Sequence, residues 1–141
     1  MTWDQHITAA CDKKADMLNS TLWQIVGEFS PSPTECGGSP HISGIDVTAG
    51  SRWDGTAPNT TAIGSCIGLS GSATTFSQEF KEFMRKYWEA QISTYELAGG
   101  WIMWSWKGNA EDWSYQAGLK YGWIPKDPTE RKHPHICQSG Y

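Results

Sequence analysis

Glu28 is the side chain in this sequence best placed for covalent or acid–base chemistry. It follows the short, partly β-branched apolar run Leu22 to Val26 and precedes Phe29-Ser30-Pro31-Ser32-Pro33. The run reads as a buried strand, and the prolines, which lack the amide that sheet pairing needs, end it. Glu28 is therefore expected at a strand's C-terminal end, where α/β folds gather their loops and place reactive groups. A carboxylate there can attack an electrophilic carbon or exchange a proton. Its plainer use is to cap a backbone amide or face water. The second candidate is Trp101-Ile102-Met103-Trp104-Ser105-Trp106. Read as a strand, it puts Ile102, Trp104 and Trp106 on one face and Trp101, Met103 and Ser105 on the other. An indole at such a place offers a flat surface for a sugar ring, and core packing is the competing use.

Other chemistries have little support. The four Cys (Cys11, Cys36, Cys66, Cys137) contain no C-x-x-C pair, so zinc spacing is absent. His133 and His135 flank Pro134 in the tail and are weak evidence for a metal. No Gly-rich phosphate loop precedes a helix. No metal and no cofactor are expected. Lys13-Lys14 and Arg85-Lys86 read as solvated helix faces.

The elements that must position Glu28 and the tryptophans follow from periodicity. Thr2 with Gln5 reads as a capping box, and Ile7, Cys11, Ala15 and Leu18 continue at helical spacing, predicting an amphipathic helix over 3–18. Residues 36–75 are rich in Gly, Ser, Thr and Pro and predict a long irregular loop. Thr75 with Gln78 reads as a second capping box. Phe76, Phe80, Phe83, Met84, Tyr87, Trp88, Ile92 and Tyr95 trace a wide apolar stripe, predicting a helix from about Phe76 to Leu97 that Gly99-Gly100 stops. Its aromatic stripe should be buried, with Arg85 and Lys86 exposed. The run 101–106 has almost no polar face and predicts a strand buried on both sides, as in a parallel sheet. Asn109 is placed to cap a short helix through about Leu119, and the tail from Gly122 reads as irregular. The alternation of helix and strand defines an α/β fold. Two strands alone make a poor sheet.

Composition narrows the function further. The chain has 141 residues, 11 Lys+Arg against 15 Asp+Glu and a net charge of -4, with no strongly basic segment, which argues against nucleic acid as a partner. No apolar run approaches the length of a membrane span. Nine Trp are unusual for this length. The even number of Cys allows three disulfide connectivities, and a bridge from Cys36 to Cys66 would tie down the long loop. Asn19-Ser20-Thr21 and Asn59-Thr60-Thr61 are glycosylation sequons. Together these features favour an oxidising, extracellular setting. Met1 to His6 has neither the basic nor the apolar region of a signal peptide, so a secreted chain of this kind is expected to have more sequence upstream.

Val26-Gly27-Glu28-Phe29-Ser30, the spacing to Cys36, Ile63-Gly64-Ser65-Cys66 and Gly99-Gly100-Trp101-Ile102-Met103-Trp104-Ser105-Trp106-Lys107 together resemble the fungal exo-1,3-β-glucanases of glycoside hydrolase family 5. So do Tyr87-Trp88-Glu89-Ala90-Gln91 and Pro128-Thr129-Glu130-Arg131-Lys132 before Cys137. The pieces run in family order across nearly the whole chain. The resemblance implies that residues 1–141 are the C-terminal portion of one catalytic domain, about the last two βα units of a (β/α)8 barrel, with residues 22–28 and 100–106 as the seventh and eighth strands. It implies a retaining enzyme that releases glucose from β-1,3-glucan, in the cell wall or outside the cell. Glu28 matches the catalytic nucleophile and Trp104 the floor of the glucose subsite. Phe29 and Trp106, in the same two motifs, are the further substrate-binding candidates. The implied disulfides are Cys11–Cys137 and Cys36–Cys66. The family's acid/base is a Glu in an Asn-Glu-Pro motif, and none of the eight Glu here lies in one. Residues 37–51 also depart from the family pattern. The resemblance thus implies a nucleophile without its acid partner, and hence an inactive isolated chain. A carbohydrate-binding module or a structural remnant without catalysis are the alternatives. The oligomeric state is not legible.

Overall fold

The computed structural model describes residues 1–38 and 50–138. Most of the loop stretch that departs from the family pattern lies outside them. The elements are α1 (Trp3–Asp12), α2 (Lys14–Asn19), β1 (Val26–Phe29), α3 (Gln78–Tyr95), β2 (Trp101–Met103) and α4 (Tyr115–Tyr121). Short 3-10 turns occupy Glu35–Gly38, Ala73–Thr75 and Glu111–Trp113. β1 and β2 pair in parallel, and α3 is the crossover between them. The chain is thus a small α/β unit, as its alternating pattern implies.

The α1 capping box forms as read from Thr2 and Gln5: Gln5 N donates to Thr2 Oγ1, and Thr2 N donates to Gln5 Oε1. Ile7 and Ala10 are buried, and Trp3 stacks on Phe83 of α3 at 4.8 Å. The single helix expected over 3–18 divides at Lys13. Past Cys11 its apolar positions no longer meet the core, and Ala15 and Leu18 are exposed.

The first strand lies further along the chain than Leu22–Val26. Pairing starts where Val26 N donates to Gly100 O, while Leu22 and Trp23 remain exposed. Glu28 is accordingly the third of four strand residues rather than the residue just past the strand.

α3 is the structural centre. Phe80, Phe83, Met84, Trp88 and Ile92 are buried along one stripe. Its N-cap is Ser77, whose hydroxyl accepts from Phe80 N at 3.0 Å. Thr75, the expected cap, instead donates its hydroxyl to Ser72 O within a 3-10 turn. The helix ends at Tyr95, ahead of the glycines, and Gly100 with φ 122° turns the chain into β2. Lys86 is exposed, but Arg85 is buried, contrary to expectation. Its guanidinium is held by Glu89 and by Glu130.

β2 is shorter than 101–106 and is buried on one face only, with Ile102 59% exposed. β1 ends at Phe29, so β2 has no partner beyond Met103. The last bond of this edge runs from Trp104 N to Phe29 O, and Ser105 N then turns to Trp113 O. The following helix is capped by Ser114, not Asn109, and ends at Gly122 in the left-handed region. Among the described residues no helix is long and apolar enough to cross a membrane.

Two disulfides, Cys11–Cys137 and Cys36–Cys66, have Cα separations of 5.2 and 5.4 Å. The outer bridge ties α1 to the tail. The inner one closes the long loop. They span 126 and 30 residues, so in the chain-entropy account the outer bridge stabilises more, by about 1 kcal/mol. Paired Cys→Ser changes should lower the unfolding free energy by about 2–5 kcal/mol each. Urea titration checks both the size and the order of the two effects.

Candidate functional site

The two-stranded sheet has one covered and one bare face. Val26 aligns with Trp101 and Phe29 with Met103, so three steps along β1 match two along β2. One extra residue is thus accommodated at Gly27–Glu28, a β-bulge. Strict alternation would place Glu28 on the same face as Val26. The bulge instead leaves Val26 and Phe29 packed in the core with Trp101 and Met103, beneath α3, while Glu28 is exposed. A Cβ added at Gly27 would meet nothing within 4 Å, so the space beside Glu28 is open.

Trp104 lies next to this position. Its amide donates to Phe29 O at 2.9 Å, and it is 55% exposed. Glu28, Ile102 and Trp104 therefore form an open ledge at the C-terminal ends of two parallel strands. A carboxylate beside an indole is suited to a sugar, because the ring stacks on the indole while the carboxylate approaches a ring carbon.

Phe29 does not share the ledge. It is buried edge-on against Tyr95 and Trp101, with centroids 5.3 and 5.4 Å away. The bulge that exposes Glu28 turns Phe29 inward. Trp106 also leaves the face expected for it, since the chain quits the sheet after Met103. It stacks on Tyr115 at 5.8 Å and lines a separate cavity of about 340 Å³ with Trp101 and Met103.

Residues to which the sequence analysis gave no individual role hold the strand ends and the tail. Gln91, buried on α3, donates from Nε2 to Ser30 O at 3.0 Å, just past Glu28. Asp112 is fully buried and accepts hydroxyl hydrogen bonds from Ser32 (2.7 Å) and Ser70 (2.9 Å). Burial pushes the Asp112 carboxyl above the usual aspartate range. Glu89 is also fully buried. It pairs with Arg85 and accepts the amides of Lys132 and His133, which fixes the tail against α3. Gln91 and Glu89 both lie in the Tyr87–Gln91 motif, which was the available signal for them.

The remaining candidate residues are peripheral. Asn19 and Asn59 are exposed, and Asn59 takes a left-handed turn conformation with φ 59°. His135 Nδ1 lies 3.0 Å from Gln138 Oε1. Among the described residues no three His, Cys, Asp or Glu side chains gather as metal ligands would.

The fold is a small α/β unit that exposes a carboxylate, Glu28, and an indole, Trp104, toward its strand ends. The chain is 36% identical over 140 residues to a protein of Aspergillus niger named probable glucan 1,3-beta-glucosidase A. It is 34% identical over 145 and 139 residues to proteins named glucan 1,3-beta-glucosidase in Kluyveromyces lactis and glucan 1,3-beta-glucosidase I/II in Saccharomyces cerevisiae. These matches take in 97%, 99% and 95% of this chain but 33%, 33% and 30% of the relatives. No protein-family model matches. The chain is thus similar to proteins named glucan 1,3-beta-glucosidase and spans about a third of the length of the curated relatives it matches.

Proposed function

We propose that this chain is the nucleophile-bearing last portion of a retaining glucan 1,3-β-glucosidase, an extracellular or cell-wall enzyme that cleaves glucose from β-1,3-glucan. The observation that supports this reading is that Glu28 and Trp104 are both exposed toward the C-terminal ends of adjacent parallel strands. Barrel enzymes place their chemistry there. Glu28 attacks the anomeric carbon, forming a glucosyl-enzyme that water then hydrolyses, and Trp104 supports the ring from below. Retention needs a second carboxyl about 5–5.5 Å from the first to protonate the leaving oxygen. The six other barrel strands supply that acid and cover the bare face of Ile102. The chemistry needs only the two carboxylates.

The test is to fuse this chain behind the first two thirds of the Kluyveromyces lactis relative and measure glucose release from laminarin. The fusion should hydrolyse laminarin, and the 141 residues alone should not. In the fusion, Trp104→Ala should raise KM and lower kcat, each by about tenfold, as stacking of 1–3 kcal/mol per ring would imply. Hydrolysis by the isolated chain would refute the division of labour. The exposure of Trp104 favours a second reading, a glucan-binding unit without catalysis. Retention of the isolated chain on laminarin, with an inactive fusion, would support that instead.

A further inference from the structure

The loops that follow β1 and β2 are joined in a closed ring of hydrogen bonds. Phe29 O accepts from Trp104 N at 2.9 Å, and Ser105 N donates to Trp113 O at 2.8 Å. The residue before Trp113 is Asp112, whose carboxylate accepts from Ser32 Oγ at 2.7 Å, and Ser32 lies three residues beyond Phe29. Tyr115 N bonds back to Ser105 O, and Gln116 N to Trp106 O. The second Asp112 oxygen is held by Ser70, and Glu111 Oε2 accepts Ala73 N, which anchors the 111–113 turn to the segment leading into α3. The bonds that join the turn after β2 to the strand ends are backbone bonds. Among the described residues, the hydrogen bond from Ser32 to Asp112 is the side-chain bridge by which that turn grips the loop after Glu28.

We propose that Asp112 is a positioning residue that, through Ser32, fixes the loop carrying Glu28 relative to the Trp104 ledge. A buried carboxylate is suited to this task because it accepts two short hydroxyl bonds at once without being drawn toward water. The hydrogen bonds of the Asp112 carboxylate run to Ser32 and Ser70, so its action is on the spacing between Glu28 and Trp104. As a statement about catalysis, this rests on the reading of Glu28 as nucleophile. As a statement about the ring, it does not.

The test has two arms. In the first, amide hydrogen exchange is measured on the full 141-residue chain with Ser32→Ala and, as a control of similar stability cost, with Ser77→Ala at the α3 cap. Ser32→Ala should speed exchange of the Trp104 and Ser105 amides about tenfold relative to the α3 amides, and Ser77→Ala should leave that ratio unchanged. Asp112→Asn, which can keep a bond to both serines, should leave it within about twofold of the parent. An unchanged ratio in Ser32→Ala, or an equal rise in Ser77→Ala, would overturn the ring. In the second arm, the laminarin-active fusion carries the same changes. Ser32→Ala should lower kcat about tenfold with KM within twofold, and Asp112→Asn should keep most of the parent rate. A rise in KM alone, or losses matched by Ser77→Ala, would overturn the positioning role. An inactive parent fusion would count against the Glu28 reading while leaving the exchange result standing.

Discussion

Changing Glu28 to Gln in the fusion should lower kcat on β-1,3-glucan by about ten-thousand-fold or more, the scale seen when a residue that acts as a unit with its partners is removed. The amide keeps the shape of the carboxylate and its place on the bulge, but it cannot form the glucosyl ester. Sugar binding should largely survive, because Trp104 and the surrounding walls are untouched. The pattern expected is therefore a collapse of kcat with KM changed by no more than a few-fold. Initial-rate kinetics on laminarin, with circular dichroism to show an unchanged fold, checks it. The size of the loss separates a nucleophile from a carboxylate that only faces solvent, since exposed surface changes normally alter little.

The second large effect is on stability. Glu89→Ala should lower the unfolding free energy by about 3–5 kcal/mol, because it leaves the Arg85 guanidinium buried beside a vacated site. It also removes the acceptor of two backbone amides, those of Lys132 and His133, at 2.9 and 2.6 Å. The tail would then be held by the Cys11–Cys137 bridge, the Arg131–Glu96 ion pair and the buried Ile136. Glu130, the other Arg85 partner, is an exposed carboxylate. Glu130→Ala should accordingly cost no more than about 1 kcal/mol. Replacing Arg85 and Glu89 together by Met and Leu should recover part of the loss, and only part, because the two tail amides remain without their acceptor. Urea unfolding of the four chains decides this. Equal losses for Glu89→Ala and Glu130→Ala would contradict it.

The same residues show what could be read from the sequence. Glu28 was legible as an end-of-strand carboxylate because Pro31 and Pro33 stop the strand. The bulge that turns it away from Phe29 was not, since one inserted residue leaves no mark on the hydrophobic pattern. The burial of Phe29 was not legible for the same reason. The length of β2 was overread because 101–106 is apolar throughout, while its real limit is set by where β1 ends. Arg85 looked like a surface cation. The i,i+4 acid Glu89 was visible, but the tail that buries both arrives from more than forty residues away. Asp112 follows Glu111 in an acidic pair with no periodic cue, and only the folded chain shows that Ser32 and Ser70 converge on it. The α3 stripe needed no such long-range information, nor did the helix–strand alternation. The disulfide partners came from the family resemblance rather than from local spacing.

The central claim is that Glu28 forms the covalent bond to the sugar. The most direct measurement is to treat the active fusion with a 2-fluoro-glucoside bearing a good leaving group, digest it and locate the label by mass spectrometry. A retaining site built as described gains one fluoroglucosyl group, carried on the peptide that contains Glu28, and Glu28→Gln abolishes the labelling. A label on any other residue would contradict the account.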